Sequence, residues 1–225
     1  LFREEGFAAV PEAFRKLRFL TFSGDGEPTA CPDFDRAAEV VTRVRDEVAP
    51  PDTEVVLITD SACFGEERVR AGLRTLARGP HQIWAKLDAG TEAHYRRVNR
   101  SRVPFQSVLE NLAKTAREQE LYVQSLFLRI RGQGPTAAEI EAYCDRIGEI
   151  LAGGGKLLGL QINTVSRKPP VDWAEGLADE ELERIAARIR DYLGATKRKG
   201  AVVALSGGID SSVTAALCVH ALGST

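Results

Sequence analysis

Seven residues at positions 206–212, SGGIDSS, have the composition of a loop that binds phosphate. Gly207 and Gly208 have no Cβ, so a phosphate oxygen can approach their backbone N–H groups closely. Asp210 would repel a bare phosphate, which predicts that it binds a Mg²⁺ ion shared with the phosphates. The remaining donors are three hydroxyl groups: Ser206, Ser211 and Ser212. A capped helix after a tight turn is the alternative.

The segments on either side of the loop indicate how it would be positioned. An apolar run at 201–205 predicts a strand, and an Ala-rich run at 213–222 predicts a helix whose N-terminus points at the anion. An earlier helix is predicted to start after an N-cap at Asp179, to end at a C-cap at Gly194 and to pack against the strand. Its apolar stripe is Leu182, Ile185, Ile189 and Leu193.

This segment resembles the pyrophosphate-binding loop of the PP-loop ATP pyrophosphatases. The longer stretch AVVALSGGIDSSVTAALCVHALG is most similar to NAD synthetases. It differs from a Walker-A loop, which has Lys where Asp210 stands. The resemblance implies that ATP is cleaved between its α- and β-phosphates, with Mg²⁺, and that an adenylated carboxylate is then attacked by ammonia. The implied ATP-phosphate ligands are Ser206, Gly207, Gly208, Asp210, Ser211 and Ser212.

Apolar runs alternate with amphipathic segments through the first 170 residues. The predicted strands are 17–22, 55–59, 82–87, 122–130 and 157–165, and the predicted helices are 36–48, 66–76, 106–118 and 137–151. This alternation indicates parallel βαβ units in an α/β fold. Periodicity alone leaves open whether the sheet is a barrel or an open, doubly wound sheet.

Polar residues follow the C-terminal ends of all five predicted strands. Because such ends share one edge of a parallel sheet, they predict a common pocket. The residues are those at 23–28, Asp60, Ser61, those at 86–90, Arg129, Arg131, Asn163, Ser166 and Arg167.

The turn in FSGDGEPTACPDF has the features of a ligand-binding backbone. Gly24 and Gly26 allow close approach, and Pro28 fixes its φ so that the preceding carbonyl is held outward. Such a turn offers carbonyl acceptors to an ammonium group. An ordinary Gly/Pro loop is the alternative.

This turn resembles the GEP-type motif of radical S-adenosylmethionine (SAM) enzymes. IWAKLDAGTEAHYRRVNR at 83–100 and LQINTVSRKPP at 160–170 resemble a subgroup close to the wyosine-type tRNA-modifying proteins. The resemblance implies an incomplete TIM-like (β/α) radical SAM barrel over residues 1–170. The residues implied to bind S-adenosylmethionine are Gly24, Gly26, Glu27, Pro28, Asp60 and Lys86. A buried pair of Lys86 with Asp88 that stabilises the barrel rim is the alternative for that lysine.

Radical SAM chemistry also requires a 4Fe–4S cluster on three closely spaced cysteines. Cys31, Cys63, Cys144 and Cys218 are far apart, so the cluster ligands are absent from this sequence. The sequence also contains no Met and ends soon after SGGIDSS. We therefore expect an internal fragment of a longer enzyme, inactive by itself, whose parent uses S-adenosylmethionine, the 4Fe–4S cluster, ATP and Mg²⁺.

Two prolines at 169–170 end the last predicted barrel strand. They predict a domain boundary near residue 171. Residues 1–170 would form the partial barrel, and residues 171–225 the first βα unit of a Rossmann-like PP-loop domain, with 171–178 as a linker.

Charge and hydropathy narrow the partners. The 225 residues carry a net charge of −2, which gives no overall nucleic-acid footprint. No run of 18 apolar residues exists, so we expect a cytoplasmic protein without a membrane partner. Near Tyr95, four arginines could contact tRNA phosphates while the ring stacks on a base, or could form a solvated, salt-bridged loop. These arginines are Arg96, Arg97, Arg100 and Arg102.

The leading hypothesis is part of a bifunctional enzyme that joins radical SAM chemistry to ATP-dependent adenylation and amidation of small molecules, as in NAD synthesis. A tRNA-modifying enzyme that uses both domains on one substrate is the second. A non-catalytic binding or scaffold barrel is the third, and an artificial join of two neighbouring genes is the fourth. The sequence does not indicate the oligomeric state.

Overall fold

The computed structural model describes residues 10–11, 15–23, 26–166, 169–195 and 202–206, the last range by its backbone alone. By internal contacts the chain divides into two compact units. The first comprises Leu1–Ile58 and Gly65–Gln82, and the second comprises Thr59–Phe64 and Ile83–Thr225.

The first unit contains two parallel strands and the helices that follow them. The elements that it holds wholly or mainly are β1 (Phe19–Phe22), a 3-10 helix (Pro28–Ala30), α1 (Phe34–Val48), β2 (Glu54–Thr59) and α2 (Glu67–Leu76). Phe19 of β1 lies opposite Glu54 of β2. Helices α1 and α2 pack closely because Gly72 has no side chain, and a Cβ there would lie 2.6 Å from the ring of Phe34.

The second unit is built on parallel strands that alternate with helices. Its elements are β3 (His81–Lys86), whose first two residues belong to the first unit, α3 (Glu92–Val98), α4 (Phe105–Glu118), β4 (Leu121–Leu126), β5 (Leu128–Ile130), α5 (Ala137–Ala152), β6 (Leu157–Asn163), β7 (Ala174–Gly176), α6 (Asp179–Ala195) and β8 (Val202–Ser206). β3 pairs with β4, β4 with β6 and β6 with β8, all in parallel. Neighbouring strands of this sheet therefore follow one another in chain order, and the predicted mixed α/β class is confirmed.

The strand that leads into SGGIDSS belongs to the same sheet as the last predicted barrel strand. β8 lies beside β6, with Val202 opposite Gly159 and Ser206 opposite Asn163. Helix α6 contacts β8, which confirms the predicted packing of this helix on the strand. A closed barrel and the domain boundary near residue 171 stay predictions.

The predicted strand at 122–130 is wrong in its second half. β4 ends at Leu126, and the chain turns at the buried Phe127, whose N–H donates to the Asn163 carbonyl at 2.8 Å. β5 then pairs antiparallel with β7, which lies in the segment predicted as a linker. The linker prediction is therefore also wrong, because Ala174 packs with Leu128 in a small buried cluster.

The remaining predicted strands and helices of the first 170 residues are confirmed, with ends that differ by a few residues. The sequence interpretation missed α3, a seven-residue helix capped by Thr91, whose Oγ1 accepts from the N–H of His94 at 3.2 Å. In α6, Asp179 is the first helical residue and not the N-cap. The N–H of Ala178 instead donates to the Glu181 carboxylate at 3.1 Å. Gly194 lies inside α6 and is not its C-cap.

In the part of the chain that the structure describes, no helix is long and apolar enough to cross a membrane.

Candidate functional site

Hydrogen bonds at the end of β2 fix a sharp turn in the second unit. The carboxylate of Asp60 accepts from the N–H of Ala62 at 2.9 Å, which is the local bond expected of an Asx turn. Ser61 is buried and has a φ of 66°, a left-handed conformation that is uncommon outside glycine. Its hydroxyl donates to the carbonyl of Lys86 at 3.4 Å, and Asn111 donates to the Ala62 carbonyl at 2.9 Å. The ends of β2 and β3 are thereby tied together.

Asp88 is a buried carboxylate two residues beyond β3. It accepts from the N–H of Leu126 at 2.9 Å and from the side-chain amide of Asn99 at 2.9 Å. Burial raises the pKa of Asp88, while the positive charge of Lys86 and these two hydrogen bonds oppose that rise. Asp88 therefore joins the ends of β3 and β4, as a tether at the rim of the sheet.

A second buried carboxylate, Glu139 on α5, holds the loop after β3. It accepts from the N–H of Gly90 at 2.5 Å and from the hydroxyl of Thr91 at 2.5 Å. Close by, burial lowers the pKa of the half-buried His94, and the charge of Glu139 opposes that change. The loop is thus packed against the start of α5.

Below these carboxylates, Ser125 and Tyr143 form a fully buried pair whose oxygens lie 2.7 Å apart. Burial raises the pKa of Tyr143 well above its usual value, and its bond to Ser125 opposes the rise. Neither group reaches solvent, so the pair stabilises the packing of α5 on β4.

In the first unit, the predicted S-adenosylmethionine turn is held rigidly. The carboxylate of Glu27 accepts from the backbone N–H of Thr29 at 2.9 Å and from its hydroxyl at 2.5 Å, and Pro28 starts the 3-10 helix. Arg68 donates to the carbonyls of Thr29 at 2.7 Å and Cys31 at 2.5 Å. The carbonyls of Glu27 and Pro28 each accept one backbone N–H. A carbonyl has two lone pairs, so each can accept one further donor.

The predicted site residues are distributed over both units. Gly26, Glu27 and Pro28 belong to the first unit, whereas Asp60 and Lys86 belong to the second. Ser206 is the last residue of β8. The other predicted ligands lie outside the described residues: Gly24, Gly207, Gly208, Asp210, Ser211 and Ser212.

The cysteines that the structure describes do not fit an iron–sulfur cluster. Cys31 is exposed, Cys63 is half-buried and Cys144 is buried, and Cys218 lies outside the described ranges. Burial raises the pKa of the Cys144 thiol to about 11, whereas cluster ligands are thiolates. Among the residues with described positions, no group of three or more His, Cys, Asp or Glu side chains is arranged to hold a metal ion.

The predicted role of Tyr95 in base stacking is wrong. Its ring is buried and stacks on Phe105 with 5.0 Å between ring centroids, so it is not available to a nucleotide. Arg96 forms an ion pair with Glu92 at 2.6 Å. The guanidinium carbon of Arg100 lies 5.6 Å from the ring centroid of Trp173, a cation–π contact. These two arginines match the salt-bridged alternative.

Sequence reasoning singled out Asp88 but missed its partner Asn99 and the buried Glu139. Thr136 and Glu139 have the spacing of a capping box, and the Glu139 N–H does donate to the Thr136 hydroxyl at 3.2 Å. The Glu139 carboxylate, however, binds a loop nearly 50 residues earlier in the chain. The local signal predicted the helix start and carried no information about that tertiary partner.

Comparison with known proteins bears on the C-terminal region. Residues 181–225 match the family model for NAD synthase. The NH(3)-dependent NAD(+) synthetase of Methanocaldococcus jannaschii is 51% identical over 51 residues, which is 23% of this chain and 19% of that protein. The enzymes of the same name from Mesorhizobium japonicum and Rhizobium rhizogenes are 53% and 51% identical over 47 residues, 20% of this chain and 15% and 14% of theirs.

These matches support an NAD synthase-like domain of the PP-loop kind at residues 181–225. The chain spans less than a fifth of the length of each of these three curated relatives. The family match begins at residue 181, so the radical SAM barrel of the first 170 residues stays a prediction.

Proposed function

We propose that residues 181–225 contribute to an ATP pyrophosphatase site that adenylates a carboxylate and supports its amidation by ammonia, as in NAD synthesis. The observation that carries this proposal is the NAD synthase match, which includes SGGIDSS. Its geometric support is that β8 ends at Ser206, where the loop leaves the C-terminal edge of a parallel sheet. Ligands of α/β proteins bind preferentially at that edge.

The residues of the loop have separable tasks in this proposal. The N–H groups of Gly207 and Gly208 bind phosphate oxygens, because no side chain obstructs them. The hydroxyls of Ser206, Ser211 and Ser212 bind further phosphate oxygens. The carboxylate of Asp210 holds Mg²⁺, which neutralises charge on the departing pyrophosphate.

The test is Mg²⁺-dependent release of pyrophosphate from ATP by the full-length protein. Asp210→Ala should lower the rate by about 100-fold, the scale of losing one group that stabilises transition-state charge. The matched control is Asp191→Ala, which removes an exposed carboxylate of α6 within the same matched region and should leave the rate unchanged. Equal rates for the wild type and Asp210→Ala would remove Asp210 from the mechanism.

S-adenosylmethionine binding is a second candidate function, favoured by the structure of the turn after β1. In this proposal the backbone beside Gly26, Glu27 and Pro28, with Gly24, receives the ligand's ammonium group, and Asp60 and Lys86 contribute further polar contacts. No radical step is assigned, because the described cysteines do not fit the cluster. Equilibrium dialysis with S-adenosylmethionine tests the proposal, as follows.

Glu27→Ala removes the two side-chain hydrogen bonds that order this turn, and should weaken S-adenosylmethionine binding. Glu39→Ala, on an exposed position of α1, is the matched control. Undiminished binding by the Glu27 variant would exclude this turn as the site.

The tRNA alternative and a cytoplasmic location also stay proposals. Contact with RNA would now rest on arginine–phosphate contacts alone, since Tyr95 is buried. A scaffold role would be favoured if the full-length protein bound neither ATP nor S-adenosylmethionine.

A further inference from the structure

The two faces of the sheet in the second unit differ in chemistry. On one face the side chains are apolar and at most 1% exposed, and α5 covers them, as the Ser125–Tyr143 pair shows. These residues are Ile83, Ala85, Leu121, Val123, Leu160 and Ile162. The alternate residues of the same strands project from the opposite face. Most of them are polar or aromatic and half-exposed.

Strand register arranges these alternate residues in two rows. Trp84 lies opposite Tyr122 in the first row, with 6.0 Å between ring centroids and an interplanar angle of 58°. Tyr122 in turn lies opposite Gly159, which has no side chain. The first row therefore offers an aromatic surface bordered by a position without a side chain.

The second row is polar. Lys86 lies opposite Gln124, and Gln124 lies opposite Gln161. The side-chain amide of Gln124 donates to that of Gln161 at 2.7 Å. This bond leaves the Gln161 amide with its two N–H donors and Gln124 with its acceptor oxygen, so the pair can recognise a polar edge.

Lys86 supplies the only formal charge on the described strand residues of this face, since β4 and β6 contain no charged residue. Among the described side chains, Lys86 forms no ion pair within the 4.0 Å that defines one. The nearby Asp88 carboxylate already accepts from Leu126 and Asn99. The face is thus positive and complementary to an anion.

We propose that this face binds a small anion that carries a planar heterocycle, of the size of a nucleoside monophosphate. Lys86 binds the anionic group, the Trp84–Tyr122 pair contacts the ring, and the Gln124–Gln161 pair binds the polar edge of the heterocycle. The site goes beyond the ATP reaction and requires neither Mg²⁺ nor residues 206–212.

The experiment uses GMP, guanosine and inorganic phosphate as probes of the full-length protein. The buffer contains EDTA, so that a Mg²⁺-dependent ATP site does not contribute. Trp173→Phe is the background, because the chain has two tryptophans and Trp84 then becomes the fluorescent reporter. Binding of GMP should change the Trp84 emission, and guanosine and phosphate should each bind more weakly than GMP.

Variants of Lys86 separate the proposed contact from a general charge effect. Lys86→Ala should weaken GMP binding about tenfold or more, the usual effect of losing a hydrogen bond to a charged group, and leave guanosine binding unchanged. Lys114→Ala, at an exposed position of α4, is the matched control and should bind GMP as the wild type does. Circular dichroism and thermal unfolding establish that each variant is folded.

Three results would overturn the proposal: no GMP binding at millimolar concentration, equal affinity for GMP and guanosine, or equal losses in the Lys86 and Lys114 variants. Asp210→Ala distinguishes this site from the ATP site. It should leave GMP binding unchanged, and a loss of GMP binding in that variant would place the nucleotide at residues 206–212 and also overturn the proposal.

Discussion

At the scale of single residues, Asp88 illustrates how a polar group can be buried without a salt bridge. Its two oxygens accept from a backbone N–H and from a side-chain amide that lie on different elements. The Oδ1 of Asn99 is buried and has no hydrogen-bond partner among the described residues. An amide in place of the carboxylate could therefore bind a reoriented Asn99.

We predict that Asp88→Asn and Asp88→Ala differ in their effects on stability. Asp88→Asn should retain the bond from Leu126 and gain one to Asn99, whereas Asp88→Ala should cost about 1–3 kcal/mol because it leaves buried donors unpaired. Denaturant unfolding at neutral pH measures both values. Equal losses in the two variants would show that these hydrogen bonds do not stabilise the rim.

The same pair of proteins predicts a pH dependence. Burial raises the folded-state pKa of Asp88 above its ordinary value of 3.8, so folding favours the protonated form. The stabilising contribution is complete below pH 3.8 and is lost as pH rises through the folded-state pKa. The unfolding free energy of the wild type should therefore fall relative to that of Asp88→Asn over this interval, and parallel curves would contradict the shift.

At the scale of elements, alternation and helical periodicity predicted most strands and helices because each depends on local sequence. β5 and β7 were not predicted, since their pairing depends on residues 46 positions apart, such as Leu128 and Gly176. The buried polar contacts were missed for the same reason. Asp88 meets Leu126 38 residues later, and Gly90 meets Glu139 49 residues later.

The contact of the loop after β3 with α5 gives a prediction at this scale. A Cβ on Gly90 would overlap the backbone of Ala142 and Tyr143, which cannot move without displacing α5. Gly90→Ala should therefore cost about 3 kcal/mol or more in unfolding free energy. The matched control is Gly194→Ala, where a Cβ meets nothing within 4 Å and helix propensity should add about 0.5–1 kcal/mol. Similar stabilities for the two variants would contradict the close packing.

At the scale of the whole molecule, the sequence indicated two kinds of chemistry. The NAD synthase comparison supports the one at the C-terminus. β8 pairs with β6, so the strand that presents SGGIDSS extends a sheet to which the preceding segments contribute. The motif was readable in the sequence because phosphate binding needs particular residue types at adjacent positions. The polar face of β3, β4 and β6 emerged only from strand register, which sequence alone did not determine.

The most direct test of the proposed function is the identity of the products formed from ATP. The full-length protein would be incubated with ATP, Mg²⁺, deamido-NAD and ammonium, and the nucleotides separated by chromatography. The account predicts AMP and pyrophosphate, in amounts equal to the NAD formed. ADP and inorganic phosphate as products, or no ATP cleavage by the wild-type protein, would contradict it.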